Sequence, residues 1–242
     1  MKEKVDFKGS VVLNPVPVVL ITSRDSEGND NVFTVGWVGT VCTKPPMLSI
    51  SIRPERLSYK YIKETMEFTV NLPTSKMTRE VDYCGVRSGK TVDKIKEMNF
   101  TMREGTNINV PYINECPVSI ECKVKNILPL GTHDCFIAEV VGSHIDKDLI
   151  DEKGKIHFEE ADLITYCHGE YFKMEKQAIG SFGYSVAKKK KAIAAKTPAS
   201  KQKEPATAKK SSLKSAAKKS VKPKAKNKNK AKSKTKINKK RG

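Results

Sequence analysis

Residues 33–62 have the sequence FTVGWVGTVCTKPPMLSISIRPERLSYKYI and include the only tryptophan of the chain. Two runs rich in β-branched and aromatic residues, 31–40 and 47–52, lie on either side of the turn sequence TKPP and predict two strands. Beyond them, apolar residues recur at helical spacing, which predicts a short helix within residues 55–67. The stretch therefore predicts strand, turn, strand and helix in that order.

The rest of residues 1–187 keeps this strand-rich character. Further strands are predicted at residues 16–22, 67–72, 118–127, 135–144 and 163–166, and further short helices at residues 75–83 and 92–98. Residues 118–127 alternate between apolar and polar side chains, which is the period of a half-buried strand. Many strands with a few short helices predict a mainly β fold, a barrel or a sandwich, rather than a doubly wound sheet. The nucleotide-binding patterns GxGxxG and GxxxxGK[ST] are both absent.

Charge is divided unevenly along the chain, whose formal net charge is +19. Residues 188–242 contain 22 lysines, one arginine and one acidic residue, so they carry +22 and residues 1–187 carry −3. Residues 188–242 also contain no Trp, Tyr, Phe, Met or Cys, and such a segment buries too little apolar surface to offset the entropy of ordering. We therefore expect one globular domain over residues 1–187 and a disordered, lysine-rich tail over residues 188–242.

Several classes of protein are excluded by what the sequence lacks. No apolar run approaches the ~18 residues of a membrane-spanning helix, and the first apolar run is broken by Asn14, Pro15 and Pro17, unlike a secretory signal. The six cysteines are irregularly spaced without a CxxC pair, which favours buried, reduced thiols over a zinc site or a disulfide framework. With four histidines and no HExxH pattern, we expect no dedicated metal site. These features predict a cytoplasmic protein.

Two segments have residue types suited to binding a ligand. Residues 34–46 combine the tryptophan, a cysteine and two glycines, Gly36 and Gly39; glycine lets a flat ligand approach the backbone closely. Residues 53–61 and 82–94 supply a mixture of cationic and hydroxyl side chains that suits a phosphate, namely Arg53, Arg56, Ser58, Arg87, Ser88 and Lys90, together with Gly89. The alternative to a ligand site is an ordinary glycine turn for the first segment and a solvated loop for the second.

The order of five segments resembles that of the flavin reductase-like, FMN-binding split-barrel proteins, and within them the flavoredoxin branch. The segments are LNPVPVVLITS, the stretch 33–62 quoted above, EFTVNLP, DYCGVRSGKTVDK and GTHDCFIAEVV. The similarity extends from about residue 15 to residue 172. It implies a six-stranded Greek-key split β-barrel that forms a homodimer, with one FMN per protomer at or near the interface.

The resemblance also implies which residues contact the cofactor. The flavin ring is expected along the backbone of residues matching Thr34, Trp37, Val38, Gly39, Thr40, Val41 and Cys42. The phosphate is expected among Arg53, Ser58, Tyr59, Ser88, Gly89 and Lys90. This agrees with the mixture of charge and hydroxyl donors inferred from the residues alone.

Cys42 and His133 are the candidate catalytic residues on the reactive face of the flavin. Cys42 is suited to act as a proton relay or thiol, and His133 to orient a nicotinamide or to stabilise the negative charge of a reduced flavin. The alternatives are a small buried apolar residue for Cys42 and a strand-capping loop residue for His133. His168 is a weaker candidate for reaching a flavin across the dimer.

The residues and the resemblance together predict an FMN-dependent oxidoreductase of the flavin reductase type. It would move electrons from NADH, NADPH or a small carrier to free flavin, a ferric complex or another acceptor. One alternative is a nucleic-acid-associated dimer that uses the flavin fold as a sensor. Another is an electron-transfer protein that does not turn over NAD(P)H.

The tail resembles, in composition only, the lysine-rich tails of linker histones and bacterial histone-like proteins. Lysine ammonium groups contact phosphates as point charges, so they predict non-specific, salt-dependent binding to DNA, RNA or another polyanion. Association with the nucleoid would follow. The alternatives are a solvated tail without a partner and a tether to an anionic surface.

Overall fold

Strands dominate residues 1–187, which are the residues that the computed structural model describes. The strands are β1 (Val16–Pro17), β2 (Val19–Arg24), β3 (Asp30–Val35), β4 (Val38–Cys42), β5 (Met47–Ile52), β6 (Glu67–Leu72), β7 (Met102–Arg103), β8 (Tyr112–Ile113), β9 (Val118–Pro129), β10 (Asp134–Ile145), β11 (Ile164–Cys167) and β12 (Glu170–Lys173). The helices are α1 (Leu57–Thr65), α2 (Thr78–Val86) and α3 (Lys94–Glu97). The expected disordered tail, residues 188–242, lies outside the described residues.

Seven strands form one antiparallel sheet in the order β3-β2-β6-β9-β10-β5-β4. Strands β3 and β4 follow each other in sequence yet lie at opposite edges of this sheet, and only Gly36 and Trp37 join them. A link of two residues spans at most about 11 Å between Val35 and Val38, so the sheet must curl until its edges approach. The result is a split barrel, and the predicted mainly β, split-barrel fold is confirmed. The main sheet has seven strands, one more than the six that the family resemblance implies.

The structure differs from the sequence prediction where strands change neighbours. The single strand predicted at residues 31–40 is wrong, because the chain leaves β2 after Val35 and pairs with β5 from Val38 onward. The run 16–22 is likewise divided, since Val16 pairs with β11 whereas Val19 pairs with β3. Residues 92–98 form only the short helix α3, whose first turn is capped by the Asp93 side chain.

The core has two parts, one on each face of strands β2 and β3. Inside the barrel the fully buried side chains include Ile21, Ile50, Phe68 and Phe136. On the other face, Leu20 and Val32 are fully buried beneath α2, together with Val81 of that helix. Fully burying one such side chain contributes about 1.5–3 kcal/mol. Because β2 is buried on both faces, its first three residues, Val19–Ile21, are all apolar without alternation.

A small sheet of β1, β11 and β12 lies beside this core. Val16 pairs with Tyr166, and Tyr166 pairs with Tyr171 across the β11–β12 hairpin. The hairpin turns at His168 and Gly169, both with positive φ, and His168 is exposed. The pairing of β1 with β11 brings side chains from near residue 170 to the region of residues 16–18.

The six cysteines are free thiols. Cys84, Cys116 and Cys122 are buried, as the sequence predicts for cysteines that fill a core, whereas Cys135 is partly exposed. Within residues 1–187 no helix is both long enough and apolar enough to cross a lipid bilayer.

Candidate functional site

A cleft of about 250 Å³ opens where the two edges of the main sheet approach each other. Its walls come from the end of β3 and the link to β4, the end of β5, the start of α1, the loop between β9 and β10, and the β11–β12 hairpin. The lining residues are Val18, Phe33, Thr34, Val35, Gly36, Trp37, Ser51, Ile52, Arg53, Arg56, Gly85, His133, Tyr166 and Tyr171. Segments more than 100 residues apart in sequence therefore form one site.

The charge lining this cleft is positive. The Arg53 guanidinium lies 3.7 Å from the Glu55 carboxylate, and both side chains are about half exposed, so their attraction is weak. Arg56 forms no ion pair within residues 1–187. It also precedes α1, which has neither a side-chain cap nor an acidic residue in its first turn, so the positive end of that helix is not offset locally. The cleft therefore suits an anionic ligand.

His133 enters the cleft from the loop between β9 and β10. Its Nδ1 lies 2.9 Å from Thr132 Oγ1, which leaves Nε2 to contact a ligand. Burial lowers the pKa of His133 below its usual range, and the nearby Arg53 and Arg56 guanidinium groups add to this effect. The imidazole is therefore neutral at pH 7 and ready to take a proton when negative charge arrives in the cleft.

Four aromatic side chains line the same cleft. Phe33 and Trp37 come from the β3–β4 region, and Trp37 is 40 % exposed. Tyr166 and Tyr171 come from the β11–β12 hairpin, with ring centroids 5.6 Å apart. The Tyr171 hydroxyl donates to Asp82 at 3.2 Å, and burial, reinforced by Asp82, raises its pKa to about 12. Phe33 is buried, whereas the partly exposed rings of Trp37, Tyr166 and Tyr171 suit a planar ligand that stacks on them.

The sequence-predicted residues divide into those that line the cleft and those that do not. Thr34, Trp37, Arg53 and His133 line it. The remaining ring-contact candidates, Val38, Gly39, Thr40, Val41 and Cys42, extend from it along β4.

The structure separates the two predicted catalytic residues. Cys42 pairs with Met47 at one end of β5, whereas His133 precedes Asp134, which pairs with Ile52 at the other end. Five residues of strand place them roughly 17 Å apart. Cys42 and His133 therefore do not converge on one point within a protomer.

Two of the predicted phosphate contacts have other partners. The Ser58 side chain is buried, and its hydroxyl hydrogen-bonds to Ser23 at 2.8 Å and Asn31 at 2.7 Å. The Tyr59 hydroxyl donates to Asp134 at 2.6 Å, and its ring packs edge-on against Phe136. Ser58 thus joins α1 to the sheet and does not face the cleft, and Tyr59 belongs to the wall of the barrel.

The predicted phosphate loop Ser88, Gly89 and Lys90 adjoins the start of α1. Lys90 Nζ donates to the Glu55 carbonyl oxygen at 2.9 Å, so the loop is tied to the segment that carries Arg53 and Arg56. Gly89 packs directly on Asn31, where a Cβ would lie 2.2 Å from Oδ1. This loop is beside the cleft without lining it.

Sequence reasoning missed Val18, Gly85, Tyr166 and Tyr171 as cleft residues. Val18 and the two tyrosines reach the cleft through the pairing of β1 with β11, which joins residues 150 positions apart. No local pattern signals such a pairing. Gly85 lies within the CGVRSGK segment, but its place is set by the packing of α2 against β3, where a Cβ would contact Thr34 at 3.4 Å.

A known protein family matches most of this chain. Residues 12–175 match the flavin reductase-like domain. The chain belongs to this family. The matched range contains every residue that lines the cleft, and the family prediction made from the sequence is confirmed.

Other members show how far the likeness of this flavin reductase-like chain extends. It is similar to the solved flavoredoxin of Desulfovibrio vulgaris (Miyazaki F), at 25 % identity and a TM-score of 0.71, over 76 % of this chain and 100 % of that one. A flavoredoxin from Methanosarcina acetivorans gives 28 % identity and a TM-score of 0.69, over 77 % and 100 %. In sequence it is 23 % identical over 135 residues to an NADH:riboflavin 5'-phosphate oxidoreductase of Streptomyces pristinaespiralis, covering 56 % of this chain and 74 % of that protein.

Proposed function

We propose that this protein binds FMN in the cleft and acts as a flavin reductase or flavoredoxin-type oxidoreductase. It takes electrons from NADH, NADPH or a small redox carrier and passes them to free flavin, a ferric complex or another acceptor. The observation that carries the proposal is the cleft itself, which combines unneutralised cations with four aromatic side chains. Membership of the flavin reductase-like family and the likeness to two flavoredoxins support it.

The residues present fit a flavin mononucleotide. A phosphate dianion is best held by guanidinium groups, and the Arg56 guanidinium has no acidic partner within the described residues. The flavin ring is planar and apolar on its faces, which suits the exposed indole of Trp37 and the tyrosine pair. On the link between β3 and β4, Gly36 also lines the cleft.

When bound, the flavin supplies the electron-transfer chemistry, and the residues of this chain control binding, protonation and access. Arg53 and Arg56 hold the anionic end of the ligand. His133, neutral in the free cleft, donates or accepts a hydrogen bond at Nε2 and takes up a proton there when negative charge develops nearby. Tyr166 and Tyr171 restrict water at one wall. Given its distance from His133, Cys42 takes no part in the same step within a protomer.

The test is the visible absorption spectrum of the purified protein, followed by anaerobic titration with NADH and NADPH. A yellow protein bleached by either nucleotide supports a reductase and identifies its donor. A yellow protein that neither reduces supports the electron-transfer or sensor alternative. A colourless protein that fails to bind added FMN contradicts the proposal.

The proposal includes a homodimer, as the family resemblance implies. Several large apolar side chains near the cleft end of the barrel or on β4 are exposed in one protomer, including Val41, Leu128 and Leu130. Covering such side chains with a second copy would remove apolar surface from water. Light scattering after size-exclusion chromatography tests this, and a monomeric mass at micromolar concentration contradicts it.

A second candidate function, binding to DNA, RNA or another polyanion, rests on the net charge of +22 carried by residues 188–242. Two such segments in a dimer would bind one polymer with increased avidity. A chain ending at residue 187 is the matched control. It is expected to retain flavin binding and to lose retention on duplex DNA, and unchanged retention would contradict this assignment. A cytoplasmic, nucleoid-associated location would follow from binding to DNA.

A further inference from the structure

Residues 175–187 follow the last strand as an exposed segment that carries large apolar side chains. Every residue of this segment is exposed. Ile179 and Phe182 are fully exposed, and Tyr184 and Val186 are 67 % and 84 % exposed. The family match ends at residue 175, so the family's fold does not account for the segment. Exposed apolar side chains gathered in one place mark a contact with another molecule or with a lipid surface.

A turn holds Phe182 within this segment. The Tyr184 amide donates to the Ser181 carbonyl oxygen at 2.9 Å, and Gly183 has a φ of +82°, a backbone conformation that favours glycine. The Tyr184 ring packs on Gly180, where an added Cβ would lie 2.8 Å from the ring. The backbone therefore has local order here, while the Phe182 side chain points away from the rest of the fold.

The charge that accompanies this turn is positive. Residues 176–187 contain one lysine, Lys176, and no acidic residue, and residues 188–191 are four consecutive lysines. Lys188 follows Phe182 by six residues, which span at most about 22 Å. Residues 188–242 carry +22 but contain no aromatic side chain. The turn therefore supplies the aromatic surface that the lysine-rich segment lacks, close enough for both to meet one surface.

An anionic lipid bilayer is the partner that uses both features. Binding to a bilayer surface increases with the apolar area inserted and with the attraction between basic residues and anionic lipids, and stable anchoring takes two such signals. Each lysine near an anionic bilayer strengthens binding about fivefold. Tyrosine, with an apolar ring and a polar hydroxyl, is enriched at the boundary between lipid and water.

Other partners use only part of this arrangement. A nucleic acid attracts the lysines, and single-stranded bases stack on aromatic rings, but the aliphatic side chains of Ile179 and Val186 gain nothing from base stacking. A second copy of this chain would cover the apolar side chains, but its residues 1–187 offer a net charge of only −3 to the +22 segment. The combination of aliphatic, aromatic and cationic groups favours lipid.

We propose that residues 179–186 insert into the headgroup region of an anionic lipid bilayer while the lysines of residues 188–242 bind the lipid phosphates. Phe182 and Ile179 make the apolar contact, and the Tyr184 hydroxyl stays among the headgroups. The inference goes beyond the flavin chemistry proposed above and does not depend on it. It shares its lysines with the polyanion candidate, and Phe182 distinguishes the two.

The experiment is co-sedimentation of the full-length chain with vesicles of equal parts phosphatidylcholine and phosphatidylglycerol, at about 0.15 M salt. Phe182→Ser is expected to weaken binding about 5- to 30-fold, as for the loss of one partly inserted aromatic side chain. Adding Ile179→Ser is expected to weaken it further. Vesicles of phosphatidylcholine alone are expected to bind the wild type about 10-fold more weakly or worse, because they lack the anionic charge.

Two variants serve as matched controls. Phe7→Ser removes another exposed phenylalanine, one that is far in sequence from the lysines, and is expected to bind vesicles as the wild type does. A chain ending at residue 187 keeps the turn without the lysines and is expected to lose vesicle binding. Phe182→Ser is also expected to keep its melting temperature and, within about twofold, its affinity for duplex and single-stranded DNA.

Several results would overturn the assignment. If the wild type does not bind the anionic vesicles, or if Phe182→Ser binds them equally well, the turn does not insert. An equal loss in Phe7→Ser would show that the contact is not specific to the turn. A parallel loss of single-stranded DNA would identify base stacking instead, and a lower mass in light scattering with unchanged vesicle binding would identify a contact with a second copy. None of these measurements requires bound flavin.

Discussion

The His133 imidazole is more acidic than a free histidine because it is partly desolvated and lies near two guanidinium groups. A positive charge nearby disfavours a second one, so the arginines that suit the cleft to an anion also keep this histidine neutral. When an anion binds, that repulsion is offset and the pKa of His133 rises. Binding of the ligand and uptake of a proton are therefore coupled at this residue.

Removing one of these charges tests the coupling. Arg53→Gln is expected to raise the pKa of His133 toward its usual value, because it removes one of the two positive charges that oppose protonation of the imidazole. The measurement is an NMR titration of the histidine ring protons between about pH 5 and 8. Arg103→Gln, on exposed β7, is the control and is expected to leave the His133 titration unchanged. An unaltered His133 pKa in Arg53→Gln would contradict the explanation that the nearby arginines lower it.

Glycines in the loop of residues 87–91 and in strand β4 are expected to differ in how much a substitution changes stability. Gly89→Ala would place a Cβ 2.2 Å from Asn31 Oδ1, within the Asn31–Ser58 hydrogen-bond network. We expect it to lower the free energy of unfolding by about 1–3 kcal/mol. A Cβ added at Gly39 would have no heavy atom of the described residues within 4 Å beyond its chain neighbours, so Gly39→Ala is expected to change stability by less than about 0.5 kcal/mol.

For FMN binding, in contrast to stability, the effect is expected at Gly39. If the flavin ring lies along β4, Gly39→Ala weakens FMN by roughly 5- to 100-fold, the cost of a misplaced methyl group in a packed contact, while the fold is unaffected. Urea unfolding and isothermal titration on both variants provide the measurements. A Gly39→Ala protein that binds FMN normally would show that the ring lies elsewhere in the cleft.

The long strands β9 and β10 contain a polar cluster that is far from the chemistry of the cleft. Glu121 is fully buried, and its carboxylate accepts from the amide of Asn107 at 2.8 Å and hydrogen-bonds to His144 at 2.7 Å. Burial opposes its ionisation, but these hydrogen bonds, with one from Thr106, outweigh burial and keep its pKa below the usual range. The carboxylate thus fastens the loop between β7 and β8 to the main sheet.

Glu121→Gln is expected to destabilise the protein by about 2–4 kcal/mol at pH 7, because amide donors would then face backbone donors. The folded pKa is depressed, so the contribution is complete above the unfolded value of about 4.3 and is lost as the pH falls further. Urea unfolding at pH 7 and at about pH 3.5 checks both statements. Glu139→Gln, which removes a surface ion pair with Lys125, is the control and should cost less than about 1 kcal/mol.

For the molecule as a whole, the separation of charge predicts how binding responds to salt. The +22 segment follows a region of net charge −3, so we expect retention on DNA to depend mainly on the lysines of residues 188–242. If 6–10 of them contact phosphates, affinity for duplex DNA falls about 10³- to 10⁵-fold between roughly 50 and 200 mM salt. Fluorescence anisotropy of labelled duplexes of two unrelated sequences measures this. A clear preference for one sequence would contradict binding by point charges.

What the sequence could predict follows from the range of the interactions involved. The strand-rich pattern, the TKPP turn and the division of charge are local, so the mainly β fold was accessible from them. The interruption between β3 and β4 at Gly36–Trp37 could not be predicted, since it depends on which strands lie next to each other. Likewise, the cleft residues Thr34, Trp37, Arg53 and His133 fall in recognisable segments, whereas Tyr166 reaches the cleft only through its pairing with Val16. The contacts of Ser58 with Ser23 and Asn31 depend on side-chain packing, which no local pattern encodes.

The two-residue link between the edges of the main sheet also gives the protein an optical probe of its own. Trp37 is the only indole of the chain, it lies between β3 and β4, and it is part of the cleft. Its ultraviolet emission therefore reports on the cleft more than on the core. A planar ring that stacks on the indole quenches this emission. If the contact between the two edges of the main sheet loosens, the emission shifts to longer wavelength even while the inner strands stay paired. Filling and opening of the cleft can thus be followed in the unlabelled chain at a single excitation wavelength.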